Sequence, residues 1–241
     1  MPVPATCHES TAIGASRKKP RRGRRALDGV MRERKWLWNS AALTSLMIEA
    51  REAPESRLSL AFPFRVQRQA RLSLRQLPRA ELGPHGLMPL SNVHRYSPPR
   101  LQDTRLLIPY RIYNPPVRGS DVPVSDLPFV AAIYTRHYDG HVRQSSMRLA
   151  LESWQPWMSP FVVQLLGEYV VEIGVEIREW LATAGDSAKG HLYAVTASNP
   201  EFTAITRARA TSYWNEYYRG DFLLRSYPPL EALREIVGAS R

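Results

Sequence analysis

Three groups of residues in this chain have the types and spacing to do chemistry. His137, Asp139 and His141 fall within five residues and offer two imidazoles and a carboxylate, a donor set that zinc accepts. Histidines at i and i+4 share a face only on a continuous helix, and Asp139-Gly140 is a turn dipeptide that stops one. The expectation is therefore a turn and no metal site, with Cys7 too far away to complete one. Second, Glu168, Glu172, Glu176 and Glu179 would form an acidic stripe if 160–181 were one helix. Paired carboxylates can do acid–base work or bind cations. A solvated face, or contacts to Arg143, Arg207 or Arg209 on neighbouring helices, is the simpler reading. Third, Tyr213, Trp214, Tyr217 and Tyr218 spread over a wide helical arc, 213 and 217 on one face and 214 and 218 on the adjoining one. Some of these must be core, and the rest are candidate anchors for a partner.

No phosphate loop, nucleophile elbow or dinucleotide fingerprint is present, and the glycine-flanked stretch 185–190 reads as loop. No residue is assigned a catalytic role, and no cofactor is expected.

The elements that must position these groups come from a doubled pattern. Pro128-Phe129-Val130 leads to Asp139 and Val142, and Pro160-Phe161-Val162 leads to Glu168 and Val171. Spacings of this size mark stacked helix pairs, none of which can bury its apolar face alone. Asp126 is placed to cap a helix with Pro128 in its first turn, and His141 to Trp154 forms its antiparallel partner. Ser159 and Pro160 open the next helix. It either runs unbroken to Leu181 or breaks near Gly167 to match the first pair, and the doubled pattern favours the break. Asn199-Pro200 starts a further helix ending near Gly220, and Pro228-Pro229 a last one, giving a third layer. Residues 103–116 read as an extended apolar strap along this domain.

The N-terminal part has a different character. Residues 1–100 carry 19 Lys+Arg against 7 Asp+Glu, whereas 101–241 carry 14 against 15, so the net charge of +11 belongs to the first part alone. Residues 1–35 are expected to be a disordered basic tail, too poor in apolar residues to offset the entropy of ordering. Its run Arg17, Lys18, Lys19, Arg21, Arg22, Arg24 and Arg25 is either a nucleic-acid-binding arm or a solvated tail. Met31 opens a more protein-like stretch and is a second candidate start. Residues 36–100 are expected to be irregular, with a short helix over 36–50 and a linker over 83–99. Within them, Leu58, Leu60, Phe62, Phe64 and Val66 alternate as in an edge strand, while Arg65, Arg68, Arg71, Arg75 and Arg79 recur at helical spacing. A single cysteine excludes an internal disulfide framework. No apolar run has the length of a membrane span or a signal peptide, which leads to the expectation of a cytoplasmic protein with no membrane partner.

At Asp139-Gly140-His141-Val142-Arg143 the chain resembles bacterial HEAT-like repeat proteins, in which a helix ends at an Asp and a Val-Arg pair opens the second helix of the unit. The stretch from Pro160 to Ile173 resembles the next unit, with Glu172 where that pattern has Arg. The resemblance covers about the C-terminal half. It implies an all-α fold, a short α-solenoid of helix pairs over 101–241, and a scaffold or binding surface in place of a reaction. The expected function is a non-enzymatic adaptor binding another protein, through Glu168, Glu172, Arg143, Tyr213, Trp214, Tyr217 and Tyr218. The alternative is nucleic-acid binding through the Arg-rich N-terminal region, with the helical domain as support.

Overall fold

The computed structural model describes residues 54–78 and 98–238. The basic run, Cys7, the expected helix over 36–50 and most of the expected linker lie outside these residues. The described residues are mostly helical, with a single two-stranded antiparallel sheet.

Two helices open the described chain, α1 (Pro54–Ser59) and α2 (Phe64–Ser73), the latter ending in a 3-10 turn over Leu74–Gln76. The edge strand suggested by alternation over 58–66 is therefore replaced by helix, turn and helix. Leu58, Ala61 and Phe62 are the buried apolar residues there, at a helical and not a strand spacing, and Phe64 is exposed. Pro63 does not interrupt a ladder. It sits extended at φ −65°, ψ 149° as the residue before α2, where its missing amide costs nothing.

A small hairpin, β1 (Arg100–Leu101) with β2 (Thr104–Arg105), then leads into the strap. Leu106, Ile108, Pro109, Arg111, Ile112 and Asn114 are all buried along it, so the strap is covered on both sides. Ile112 donates its N–H to the Arg136 carbonyl at 2.9 Å and accepts from the Tyr138 N–H at 3.1 Å. The strap is thereby stitched to the turn between the next two helices.

Those helices are α3 (Leu127–Tyr134) and α4 (Gly140–Glu152), followed by α5 (Ser159–Leu165) and α6 (Val171–Thr183). Each pair is a short helix then one of 13 residues. The 160–181 stretch breaks after Leu165, so it is not one helix, and 166–170 forms a turn matching 135–139. Two expected caps act differently. Asp126 has helical backbone angles that turn its carboxylate away from the α3 amides, and it accepts instead from Ser73 Oγ at 2.7 Å and Gln76 Nε2 at 3.2 Å. Ser159 is already inside α5 and donates its hydroxyl to the Pro156 carbonyl.

Three more helices complete the fold: α7 (Asp186–Ser198), α8 (Pro200–Tyr213), which continues as a π-helical turn over Trp214–Tyr218, and α9 (Pro228–Gly238). The loop expected over 185–190 is the first turn of α7. A glycine inside a helix costs about 1 kcal/mol, and burial of Leu192 and Val195 on the same helix offsets it. Asn199, between α7 and α8, accepts from the Arg100 N–H at 2.7 Å and donates back to the Arg100 carbonyl at 2.8 Å, which ties the hairpin to this corner.

The C-terminal helix α9 packs on α6 at a point of close approach. A Cβ on Gly174 would lie 2.4 Å from Pro229 Cγ and 2.9 Å from the Pro229 backbone nitrogen. Gly174→Ala is expected to destabilise by about 1–3 kcal/mol through overpacking, which exceeds the helix propensity gained. A urea midpoint at or above that of the native protein would show that α9 slides freely.

Candidate functional site

The turn at 166–170 holds a carboxylate where none is easily accommodated. Glu168 is 1% exposed, and its side chain lies between three guanidinium groups from different segments. Arg111, on the strap, bonds it through both terminal nitrogens, Nη1 to Oε1 at 2.9 Å and Nη2 to Oε2. Arg136, in the turn between α3 and α4, donates from Nη2 to Oε1 at 2.6 Å and from Nε to the Pro109 carbonyl at 3.3 Å. Arg143, one turn into α4, donates from Nη1 to the carbonyls of His137 at 2.7 Å and Tyr138 at 2.8 Å. Its guanidinium also lies 5.2 Å from the Tyr169 ring centre. Burial alone would raise the Glu168 carboxyl; Arg136 and Arg111, with Arg143 behind them, outweigh it and bring its pKa down to about 2.

Both Arg136 and Glu168 occupy the turn that ends a short helix, and they are 32 residues apart, the same offset as the two Pro-Phe-Val openings. The doubled pattern thus presents opposite charges at equivalent positions of adjacent pairs, a signal that was present in the sequence. Arg111 had no such signal.

A fourth arginine extends the network toward the surface. Arg209 of α8 donates from Nε to the Gly167 carbonyl at 3.1 Å, and from Nη2 to the hydroxyls of Tyr110 at 2.9 Å and Tyr213 at 3.1 Å. Burial would raise the Tyr110 hydroxyl, but Arg209 and Arg111 together hold it below the ordinary tyrosine value.

The sequence-derived candidates separate once placed. Glu168 and Arg143 are core residues and reach no surface, so the acidic stripe does not exist as drawn. The helix break rotates Glu168 inward, where the arginines make its burial tolerable. Glu176 binds Arg148 and Gln144, and only Glu172 and Glu179 remain exposed. Glu172 borders a shallow cleft of about 590 Å³ between the start of α4 at Asp139–Gln144 and the turn at Tyr169–Glu172.

The His137, Asp139, His141 group is held by other bonds. His137 is buried with Nε2 at 3.0 Å from the Asn114 carbonyl, and its Nδ1 accepts the Asp139 N–H at 3.1 Å. Both ring nitrogens are committed to one neutral tautomer, and burial pushes the ring's pKa below the ordinary histidine value. Asp139 caps α4 by accepting from the His141 N–H at 2.8 Å. No group of metal-ligating side chains occurs among the described residues.

The aromatic cluster divides as its wide arc requires. Trp214 donates its indole N–H to the Phe222 carbonyl at 2.8 Å, and the Tyr218 hydroxyl donates to the Tyr169 carbonyl at 2.7 Å. Tyr213 is half-buried and Tyr217 is 62% exposed. Ring centres run from Tyr169 to Tyr213 at 6.1 Å and on to Tyr217 at 6.2 Å. The π-helical turn carries the end of this row, and such turns re-aim side chains that an α-helix would direct elsewhere.

The geometry defines an all-α domain whose strap and first helix pair meet the second pair at one buried carboxylate, with α8 bonded to the turn that carries it. Compared with protein-family models, curated proteins and solved structures, the chain matches none. No helix among the described residues is long and apolar enough to cross a membrane.

Proposed function

We propose that this chain is a non-enzymatic, HEAT-like helical scaffold that binds another protein in the cytoplasm. The observation that carries the reading is the row Tyr169, Tyr213 and Tyr217. Its rings follow one another, are partly exposed, and two of them, Tyr169 and Tyr213, lie against Arg143 and Arg209 of the network. Tyrosine and arginine are enriched where partner proteins anchor, because a rigid ring buries much area at little entropic cost. The network supplies the rigidity, since Arg209 bonds Tyr213 and the Gly167 carbonyl at the same time. The cleft beside Glu172 adjoins the row through Tyr169 and offers room for a partner side chain.

A photo-crosslinking amino acid at position 217, introduced in the native cell, is expected to trap one discrete protein adduct. The same group at the exposed Val124, outside the row, is expected to trap none. Identical adduct patterns from both positions, or none from 217, would end this reading.

A further inference from the structure

The outer face of α2 is a charged, exposed surface with no charge partner among the described residues. Arg65, Arg68, Arg71 and Arg75, the last in the 3-10 extension, are all exposed, and none makes an ion pair or hydrogen bond among the described residues. Residues 64–76 contain no Asp or Glu. Asp126, which does bond this segment, has its oxygens taken by Ser73, on the buried side, and Gln76. Between the arginines stand two apolar side chains, Phe64 at 80% exposure and Leu72 at 53%. Phe64, Arg68 and Leu72 follow one another at i, i+4 and i+8 along a single line, about 6 Å apart at 1.5 Å rise per residue.

We propose that this face binds a single-stranded nucleic acid, with the arginines on its phosphates and the Phe64 ring under an unstacked base. The face is separate from the tyrosine row of the protein-partner reading, and either can fail without the other. Four guanidiniums with no carboxylate among them complement a polyanion, and guanidinium forks match phosphate oxygens in pairs. An exposed ring among phosphate-binding groups suits a strand whose bases are free to stack. A duplex keeps its bases stacked on one another and gives Phe64 no partner. An anionic lipid surface suits the face less well, because Arg68 interrupts the apolar line that would have to insert.

The test uses the full 241-residue chain and a fluorescein-labelled 12-nucleotide oligothymidylate, followed by anisotropy between 50 and 200 mM salt. The variant R65Q/R68Q/R71Q/R75Q is expected to bind at least about tenfold more weakly, and its log–log salt slope to flatten by about 0.7 for each phosphate no longer neutralised. Phe64→Ala is expected to weaken binding about tenfold because the base loses its stacking platform, with the slope unchanged. Neutralising Arg17–Arg25 serves as the control for the separate basic run. The proposal is overturned if the fourfold variant keeps the native affinity and slope, or if Phe64→Ala has no effect. It is also overturned if a duplex of equal length binds as tightly, or if phosphatidylserine vesicles bind while the oligonucleotide does not. Circular dichroism checks that the variants fold. Independently of any variant, a 5-iodouracil strand irradiated with the native chain should crosslink within 64–76, and a map lacking that segment would also refute the proposal.

Discussion

Glu168→Ala is expected to lower stability by about 3–5 kcal/mol, read as a fall in urea midpoint or a loss of roughly 10 °C in Tm. The cost does not measure how much the ion pairs stabilise the fold. It arises because Arg111 and Arg136 would remain buried with no counter-charge, and a buried unpaired guanidinium is expensive. The triple replacement R111M/R136M/E168L separates the two quantities, since it removes all three charges and keeps comparable volume. It is expected to be near neutral or more stable than the native chain. If Glu168→Ala and the triple variant lose stability equally, the network contributes net attraction and this account is wrong.

The same carboxylate gives the fold an acid dependence of defined sign. Its folded pKa, about 2, lies below the ordinary 4.5, so its contribution is fully present above pH 4.5 and is lost as pH falls through about 2. The stability difference between the native chain and Glu168→Ala should therefore be constant from neutral pH down to about 4.5 and shrink below it.

Phe62→Ala is the second large effect, expected at about 3–5 kcal/mol. The Phe62 ring is fully buried, edge-on to Phe129 at 5.6 Å and to Trp157 at 5.2 Å, with Phe161 tilted against it at 5.6 Å. Its removal would leave a cavity bordered by three other rings that cannot all collapse into it. Phe64→Ala supplies the contrast, expected within about 0.5 kcal/mol because that side chain stands in solvent. An edge strand would put both rings on one face and make the two costs alike. Chemical denaturation of the pair therefore also tests the helix–turn–helix arrangement of 54–73.

Local signals were legible where the backbone alone decides. Asp139 opened α4 because its carboxylate can bond the first free amides, although α3 had already ended at Tyr134 and not at the Asp139-Gly140 pair. The break that the doubled pattern favoured falls after Leu165, two residues before Gly167, and the prolines at 128, 160, 200 and 228 each stand at or within one residue of a helix start. The strap was legible too, since Pro109, Pro115 and Pro116 keep it out of the helical region. Alternation misled over 58–66, because a helix followed by a tight turn can place apolar residues at even spacing by coincidence. At 185–190 the two glycines outweighed Leu192 and Val195, whose burial depends on helices that local pattern does not reveal.

The candidate site was legible in its residues and not in its arrangement. Glu168, Arg143 and Tyr213 all stood out, yet the sequence offered either a solvated face or contacts to Arg143, Arg207 or Arg209 for the carboxylate, and left Arg111 and Arg136 unnoticed. By itself the sequence determined that the C-terminal part is helical, where several of its helices begin, and that the net positive charge is confined to the first hundred residues. Each of these depends on dihedral preferences or composition within a few residues. Only the tertiary structure decided that Glu168 turns inward to meet arginines 57 and 32 residues earlier, and that Tyr169, Tyr213 and Tyr217 form a row. A charge is buried or solvated according to whether distant segments bring a partner that offsets its desolvation, and that balance is struck only when the helices pack.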